Sequence, residues 1–142
     1  MTMPRQYAHA ADEFDRFVED LRLELDHTTR HQTYQTIESV LRIFRRRLTV
    51  AEAIGFANAL PAILRAIFVA DWDVNQPVLP FSSLATLNAE VRAFRKNHDF
   101  SPANAIEIVA TILKDYVDPL AFRDALARLP PEARTFWGYP AA

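Results

Sequence analysis

The chain has 142 residues, a formal charge of −2, no cysteine and only two glycines. This length suits a single domain over residues 1–142, and the balanced charge gives no overall field to attract nucleic acid. The missing cysteines exclude a disulfide scaffold, a thiolate zinc site and a cysteine nucleophile. With glycine only at Gly55 and Gly138, a phosphate-cradling loop is also excluded and an all-β fold is not expected.

The sequence shows no sign of a membrane segment or a secretory signal. No apolar run reaches the roughly 18 residues that a membrane-spanning helix needs. The amino terminus begins Met1-Thr2-Met3-Pro4-Arg5 and lacks the apolar stretch of a signal peptide. We therefore expect a cytoplasmic protein.

The first half of the chain has the pattern of four successive helices. Apolar residues recur at the spacing of one helix face over residues 14–25 and again over 34–48. The segment Thr49–Glu52 then has the spacing of a capping box, which predicts a short helix to about residue 59. Pro61 is expected to be the first residue of a fourth helix, to about residue 69, because that position needs no amide hydrogen.

Residues 70–83 interrupt the helical pattern and are the expected internal connection. Turn-forming aspartates, an asparagine and two prolines occur here, and two serines end the segment. Its apolar side chains favour packing along the body of the protein over a flexible linker. These side chains are Trp72, Val74, Val78, Leu79 and Phe81.

Helical spacing resumes over residues 84–94. Each later helix is expected to begin at a pair of residues typical of a helix start, with Phe100 packing at the entry of the first of them. These pairs are Ser101-Pro102, Asp118-Pro119 and Pro130-Pro131. Gly138 follows Trp137 and is the expected terminator of the last helix.

The two halves of the sequence are similar to one another. Residues 37–68, shifted by 69 positions, align without a gap on residues 106–137 and give seven identities. The identical pairs are Ile37/Ile106, Glu38/Glu107, Val40/Val109, Ile43/Ile112, Leu60/Leu129, Pro61/Pro130 and Arg65/Arg134. We therefore predict an all-α fold of about eight helices in two similar four-helix halves, residues 11–69 and 84–138, which share one core. The repeated, periodic apolar residues are expected to be buried in this core, namely Leu60, Leu129, Val40, Val109, Phe44 and Leu113.

Two parts of the chain have a residue pattern found in a known family. The pattern consists of Val40-Leu41, Arg45, Arg47-Leu48, Glu52-Ala53, Leu60-Pro61, Leu64-Arg65 and Trp72, and then of Leu129-Pro130 through Trp137. On these residues the chain resembles the domain-of-unknown-function 2267 family. The chain departs from the family pattern at Gly55 and Asp71. The resemblance implies an all-helical bacterial protein of two similar halves. It implies no known activity and no catalytic residues.

Two histidine patterns could indicate a metal site or an acid–base pair. His27 and His31 are four residues apart, a metal-ligand spacing to which Asp26 could add an oxygen. The residues between them are more typical of a helix end and a loop, so we predict no metal site. His98 and Asp99 could form an acid–base pair, but adjacent helical residues do not face one another, and a histidine in a last turn is favoured by the helix dipole. We expect no catalytic residue and no cofactor.

Four arginines form the densest charge cluster, and the helix before them is strongly acidic. The arginines are Arg42, Arg45, Arg46 and Arg47. Such a face could bind phosphates, but cations at a helix end also offset the helix dipole. Nucleic acid is therefore not the expected partner. The acidic and basic helices could instead pair within the chain or form a charged partner surface.

Arg65 and Arg134 occupy equivalent places in the two halves. Each could bind an anion in bidentate geometry. Each could instead satisfy carbonyls or a carboxylate where helices meet, and we favour this architectural role because duplication copies the scaffold. An anion site would lie at the seam between the halves.

We rank a protein-interaction or adaptor module first, a small-ligand or anion binder at the seam second, and an enzyme third. No set of polar residues has a spacing diagnostic of catalysis. The candidate interface residues are Trp137, Tyr139, Arg45 and Arg46, and a homodimer is the nearest testable assembly, because aromatics and arginines anchor interfaces. The competing interpretation is that Trp137 packs inside its own half.

Overall fold

Every regular element in residues 2–95 and 101–139, the ranges that this computed structural model describes, is a helix. The helices are α1 (Arg5–Ala8), α2 (Ala10–Leu25), α3 (Arg30–Arg45), α4 (Val50–Ala57), α5 (Ala62–Val69), α6 (Leu84–Ala93), α7 (Ala105–Leu113), α8 (Pro119–Ala127) and α9 (Glu132–Phe136). A 3-10 turn over Lys114–Tyr116 continues α7. The all-α prediction is confirmed. The described ranges hold nine α-helices rather than about eight, because the short α1 precedes the first predicted helix. Within them, no helix has the length and apolar character needed to cross a membrane.

Side-chain caps start several helices where the sequence predicts them. Thr49 Oγ1 accepts a hydrogen bond from the Glu52 amide at 3.2 Å, and Glu52 Oε1 accepts one from the Thr49 amide at 2.8 Å. Asp118 Oδ1 accepts from the Leu120 amide at 3.0 Å, one residue after the proline at the start of α8. At the other end of the chain, Gly138 has φ +76° and ends α9 in the left-handed conformation that glycine tolerates.

The start of α7 differs from the prediction, because its cap comes from a different helix. Ser101-Pro102 does not begin a helix: α7 starts at Ala105. The buried Asn88 of α6 accepts from the Ile106 amide through Oδ1 at 2.9 Å, and its Nδ2 donates to Glu107 Oε1 at 2.7 Å. Ser101 Oγ instead lies 3.0 Å from Thr36 Oγ1.

Two smaller expectations about helix starts have simpler outcomes. Pro61 is the N-cap of α5, so this helix begins at Ala62, one residue after the predicted start. Phe100, expected at the entry of α7, lies outside the described residues.

The core is an aromatic cluster that joins helices from both ends of the chain. Its members are Phe44, Phe56, Phe68, Phe122, Phe136 and Trp137, all fully or almost fully buried. The ring centroids of Phe44 and Phe136 lie 4.7 Å apart, and those of Phe56 and Trp137 lie 5.6 Å apart. Around this cluster α2 packs on α3 and α7, α3 also packs on α5 and α6, and α4 lies beside α8.

The connection over residues 70–83 packs on the body only in part. Trp72 and Phe81 are half-buried against the core, as expected. Val74, Val78 and Leu79 are 54%, 50% and 39% exposed, so the expectation that they are shielded from solvent is wrong. These side chains line a surface cavity with the end of α3 rather than reaching the core.

Leu60 provides a test of the core. Leu60→Ala should lower the free energy of unfolding by about 2–5 kcal/mol, because the side chain is fully buried and its removal leaves a cavity. Urea unfolding followed by circular dichroism measures this loss. Leu120→Ala is the matched control, since Leu120 is exposed on α8 and its truncation should cost less than about 0.5 kcal/mol. Equal losses in the two variants would contradict the assignment of Leu60 to the core.

Candidate functional site

A groove between α4 and α8 is the candidate site. Its volume is about 550 Å³. Small residues spaced four apart form its walls, and the buried Phe56 contributes to its lining. The wall residues are Ala51, Gly55 and Ala59 on one side and Ala121 and Ala125 on the other. The sequence holds this signal as small residues at i, i+4 and i+8, a pattern that our sequence reasoning missed.

Internal packing does not explain the glycine at position 55 of the wall. A Cβ atom added there would meet nothing within 4 Å, so no neighbour in the described chain requires a glycine. Glycine inside a helix costs roughly 0.5–1 kcal/mol relative to alanine. The effect of Gly55 is to leave the α4 backbone open to the groove.

Exposed apolar side chains precede a lining residue of the groove on both helices. Ile54 on α4 and Leu120 on α8 are 53% and 73% exposed and come directly before Gly55 and Ala121 in the chain. Glu52, Asp124 and Arg128 also line the groove. Within the described ranges no hydrogen bond or ion pair engages the side chains of Asp124 and Arg128. The face is therefore apolar at its centre and carries charges of both signs.

Leu129, predicted by its periodicity to be core, is only half-buried. The reason is its position, since it follows α8 and lines the same groove. The other residues of that predicted core set are buried, namely Val40, Phe44, Leu60, Val109 and Leu113.

The arginine cluster is used largely inside the molecule. Arg45 is buried, and its Nη1 donates to the carbonyls of Phe68 and Ala70, each at 2.9 Å. Burial lowers the pKa of Arg45 to about 10. Its guanidinium carbon also lies 5.1 Å from the ring centroid of Trp72. Arg45 therefore holds the end of α5 and the start of the connection against α3.

Arg47 and Arg46 hold α6 and the end of the connection. Arg47 is buried and forms a bidentate pair with Glu90, with Nη2 at 2.8 Å from Oε1. Its Nε donates to the Pro80 carbonyl at 3.3 Å. Arg46 is exposed, with its guanidinium carbon 5.3 Å from the Phe94 ring centroid and Nη1 3.9 Å from Glu90.

The acidic residues of α2 do not pair with this cluster. Glu19 pairs with Arg22 at 2.7 Å, Asp15 pairs with Arg30 at 3.0 Å, and Asp20 accepts from the Tyr116 hydroxyl. Burial, followed by the bond to Asp20, raises the pKa of Tyr116 to about 12. The carboxylates that contact the cluster come instead from α3, α6 and the connection, at Glu38, Glu90 and Asp71.

Arg65 and Arg134 differ in the contacts that their side chains make. Arg65 Nε donates to the Ala57 carbonyl at 3.1 Å and Nη2 donates to the Leu60 carbonyl at 3.2 Å, which ties the end of α4 to α5. The half-buried Arg134 makes no such side-chain bond within the described ranges. Neither Arg65 nor Arg134 lines the groove between α4 and α8.

The predicted interface residues do not form one exposed patch. Trp137 is fully buried in the aromatic cluster, because its ring fills the space between α4, α8 and α9. Trp137 and the buried Arg45 are therefore corrected to internal residues. Tyr139 is half-buried, with Lys114 Nζ 4.6 Å from its ring centroid. Arg46 is the exposed member of the four.

The histidines have separate neighbours. The buried His27 places Nδ1 3.0 Å from Thr33 Oγ1, while His31 Nε2 lies 3.2 Å from Gln35 Nε2. In residues 2–95 and 101–139, no three histidine, cysteine, aspartate or glutamate side chains are grouped as metal ligands. His98 and Asp99 lie outside the described residues.

The Arg47–Glu90 pair predicts an acid dependence of stability. The hydrogen bond from Arg47 lowers the pKa of Glu90 below its ordinary value of 4.5. The resulting stabilisation is fully present above that ordinary pKa and is lost as the pH falls through the lowered value. Glu90→Gln should therefore reduce the loss of unfolding free energy between neutral and acidic pH.

Urea unfolding of wild type and Glu90→Gln at a series of pH values measures this difference. Glu24→Gln is the control, since Glu24 is an exposed carboxyl that contacts no part of the arginine cluster. An acid loss that is identical in all three proteins would contradict the role of the pair.

No curated protein matches this chain. The model of a family described as "Uncharacterized conserved protein (DUF2267)" matches residues 14–136, which include α3 to α9, both walls of the groove and the arginine cluster. The chain therefore belongs to the DUF2267 family.

Proposed function

We propose that this protein is a protein-interaction module without enzymatic activity, and that its docking face is the groove between α4 and α8. The observation that carries the proposal is an open groove of about 550 Å³ with small-residue walls. Small side chains on both walls allow a helix of another chain to approach the α4 and α8 backbones closely. Ile54 and Leu120 are exposed and precede the lining residues Gly55 and Ala121, and on this proposal they become buried on docking.

Apolar contact would supply most of the affinity. Fully burying a leucine or isoleucine side chain contributes about 1.5–3 kcal/mol. Ile54 and Leu120 are more than half exposed in the single chain, so most of that gain is still available. The central small residues add close packing, which a larger side chain at position 55 would prevent.

A second copy of the chain is the proposed occupant. The face carries carboxylates at Glu52 and Asp124 and a guanidinium at Arg128. A two-fold axis through the groove can bring Arg128 of one copy beside Asp124 of the other, twice per dimer, so the face is complementary to itself. Such rim charges direct orientation and association rate more than affinity.

We also infer that the two halves are an internal duplication. The shift of 69 residues pairs α4 with α8 and α5 with α9, and buried Phe44 and Phe68 fall on buried Leu113 and Trp137. The packing pattern supports the inference, since α2 lies on α7 while α6 lies on α3, the exchange that a pseudo-two-fold axis generates. On this proposal the groove lies between equivalent helices, with residues 70–83 as the link.

The self-association is tested by light scattering across a dilution series at low and high salt. The wild-type protein should pass from monomer to dimer as its concentration rises. High salt should lower the rate of association more than it lowers the affinity of the dimer. Gly55→Leu should remain monomeric, because its side chain would occupy the groove. The variant should keep or gain stability, by up to about 1 kcal/mol, since leucine is the better helix former.

Ala66→Leu is the matched control, because Ala66 is an exposed helical residue on α5 that does not line the groove. It should dimerise like wild type. A wild-type protein that stays monomeric at every concentration would contradict the proposal, and so would a Gly55→Leu variant with the wild-type dimer fraction.

A further inference from the structure

We propose that a second cavity, at the carboxyl end of α3, binds a small apolar molecule that carries a carboxylate. The cavity has a volume of about 310 Å³, at the lower end of the range for small-molecule sites. Two arginines and an apolar wall face it. The cavity is lined by Arg45, Arg46, Trp72, Val74, Val78 and Leu79, among others. The site lies outside the α4–α8 groove and does not depend on self-association.

Arg45 is a buried cation without a carboxylate partner. It is 8% exposed, and within the described ranges no carboxylate oxygen lies within 4 Å of its guanidinium nitrogens. Its two hydrogen bonds, to the carbonyls of Phe68 and Ala70, both leave from Nη1. A buried charge is costly unless it is paired. Burial lowers the pKa of Arg45, the charges of Arg42 and Arg46 lower it further, and the charge of Asp71 opposes this shift only in part.

The surrounding charges leave a positive excess at this end of α3. Among the described residues, five guanidinium groups share three carboxylates here. The guanidinium groups are those of Arg42, Arg45, Arg46, Arg47 and Arg95, and the carboxylates are those of Glu38, Asp71 and Glu90. Arg46 reaches only to 3.9 Å from Glu90, whose two oxygens Arg47 already engages. A bound anion would compensate this excess.

The apolar wall specifies the rest of the ligand. Val74, Val78 and Leu79 line the cavity and remain 39–54% exposed, which leaves hydrocarbon surface in water. Trp72 lies over Arg45, so the apolar wall and the cation adjoin each other. A ligand with a carboxylate at the arginines and a hydrocarbon chain against the valines satisfies both features. A guanidinium binds a carboxylate in bidentate geometry, which fits a monoanionic head group.

Octanoate is a suitable probe, with octanol as its uncharged match. Titration calorimetry of the wild-type protein should show saturable binding of one octanoate per chain. Octanol should bind at least about tenfold more weakly, because it lacks the charge-assisted hydrogen bonds. Trp72 provides a second readout, since octanoate should change the tryptophan fluorescence of wild type but not of Trp72→Phe, in which the buried Trp137 remains.

Substitutions inside and outside the cavity locate the binding site. Val78→Glu should abolish octanoate binding, because it brings a competing carboxylate to the arginines, and Val78 is exposed enough for the fold to persist. Leu23→Glu is the control, since Leu23 is exposed on α2, does not line the cavity and should leave binding unchanged. Arg46→Gln should weaken octanoate binding with little effect on octanol.

Four results would overturn the proposal. Equal affinity for octanoate and octanol would show that the arginines do not recognise the head group. Displacement of octanoate by an equal concentration of inorganic phosphate would show an anion site without an apolar requirement. No saturable binding, or unchanged binding in Val78→Glu, would exclude the cavity. The monomeric Gly55→Leu variant should bind octanoate like wild type, so this result is independent of the proposed dimer.

Discussion

The fold depends on the burial of one side chain, that of Trp137, between helices from both ends of the chain. Its ring centroid lies within 6 Å of those of Phe44, Phe56, Phe122 and Phe136, which belong to α3, α4, α8 and α9. Aromatic side chains bury about 150–250 Å² each and pack well at such offsets and edge-on angles. Because Phe56 and Phe122 both pack on this ring, α4 and α8 are held side by side, and the groove between them is a consequence of the core.

The arginines at the end of α3 determine the course of residues 70–83. That connection has no regular structure, and its prolines remove amide donors. Its carbonyls are engaged by guanidinium groups instead, at Ala70 by Arg45 and at Pro80 by Arg47. The Leu79 amide donates to the Arg46 carbonyl at 2.9 Å. In the sequence, the four arginines look like a binding surface. In the structure, Arg45 and Arg47 bind carbonyls of the connection that no regular element pairs. The same contacts form the cavity that we propose for a carboxylate ligand.

Features encoded locally were predictable from the sequence, and features encoded by distant residues were not. The caps at Thr49 and Asp118 involve residues two or three positions apart, so their spacing was sufficient. The start of α7 was missed because Asn88, eighteen residues before Ile106, supplies the cap. Arginine burial was missed because four cations in six residues are typical of a solvated face, and their partners lie 23 to 43 residues further along the chain. The groove could have been anticipated from the spacing of Ala51, Gly55 and Ala59.

The packing of α2 on α7 and of α6 on α3 also has a consequence for synthesis. The apolar face of α2, with Phe17, Val18 and Leu21, leaves the ribosome well before α7 exists to cover it. The same holds for the side of α3 that later receives α6. The segment up to α5 therefore lacks a complete interior while it emerges, and the nascent chain must keep these surfaces from aggregating, or have a chaperone shield them, until α6 and α7 have been translated.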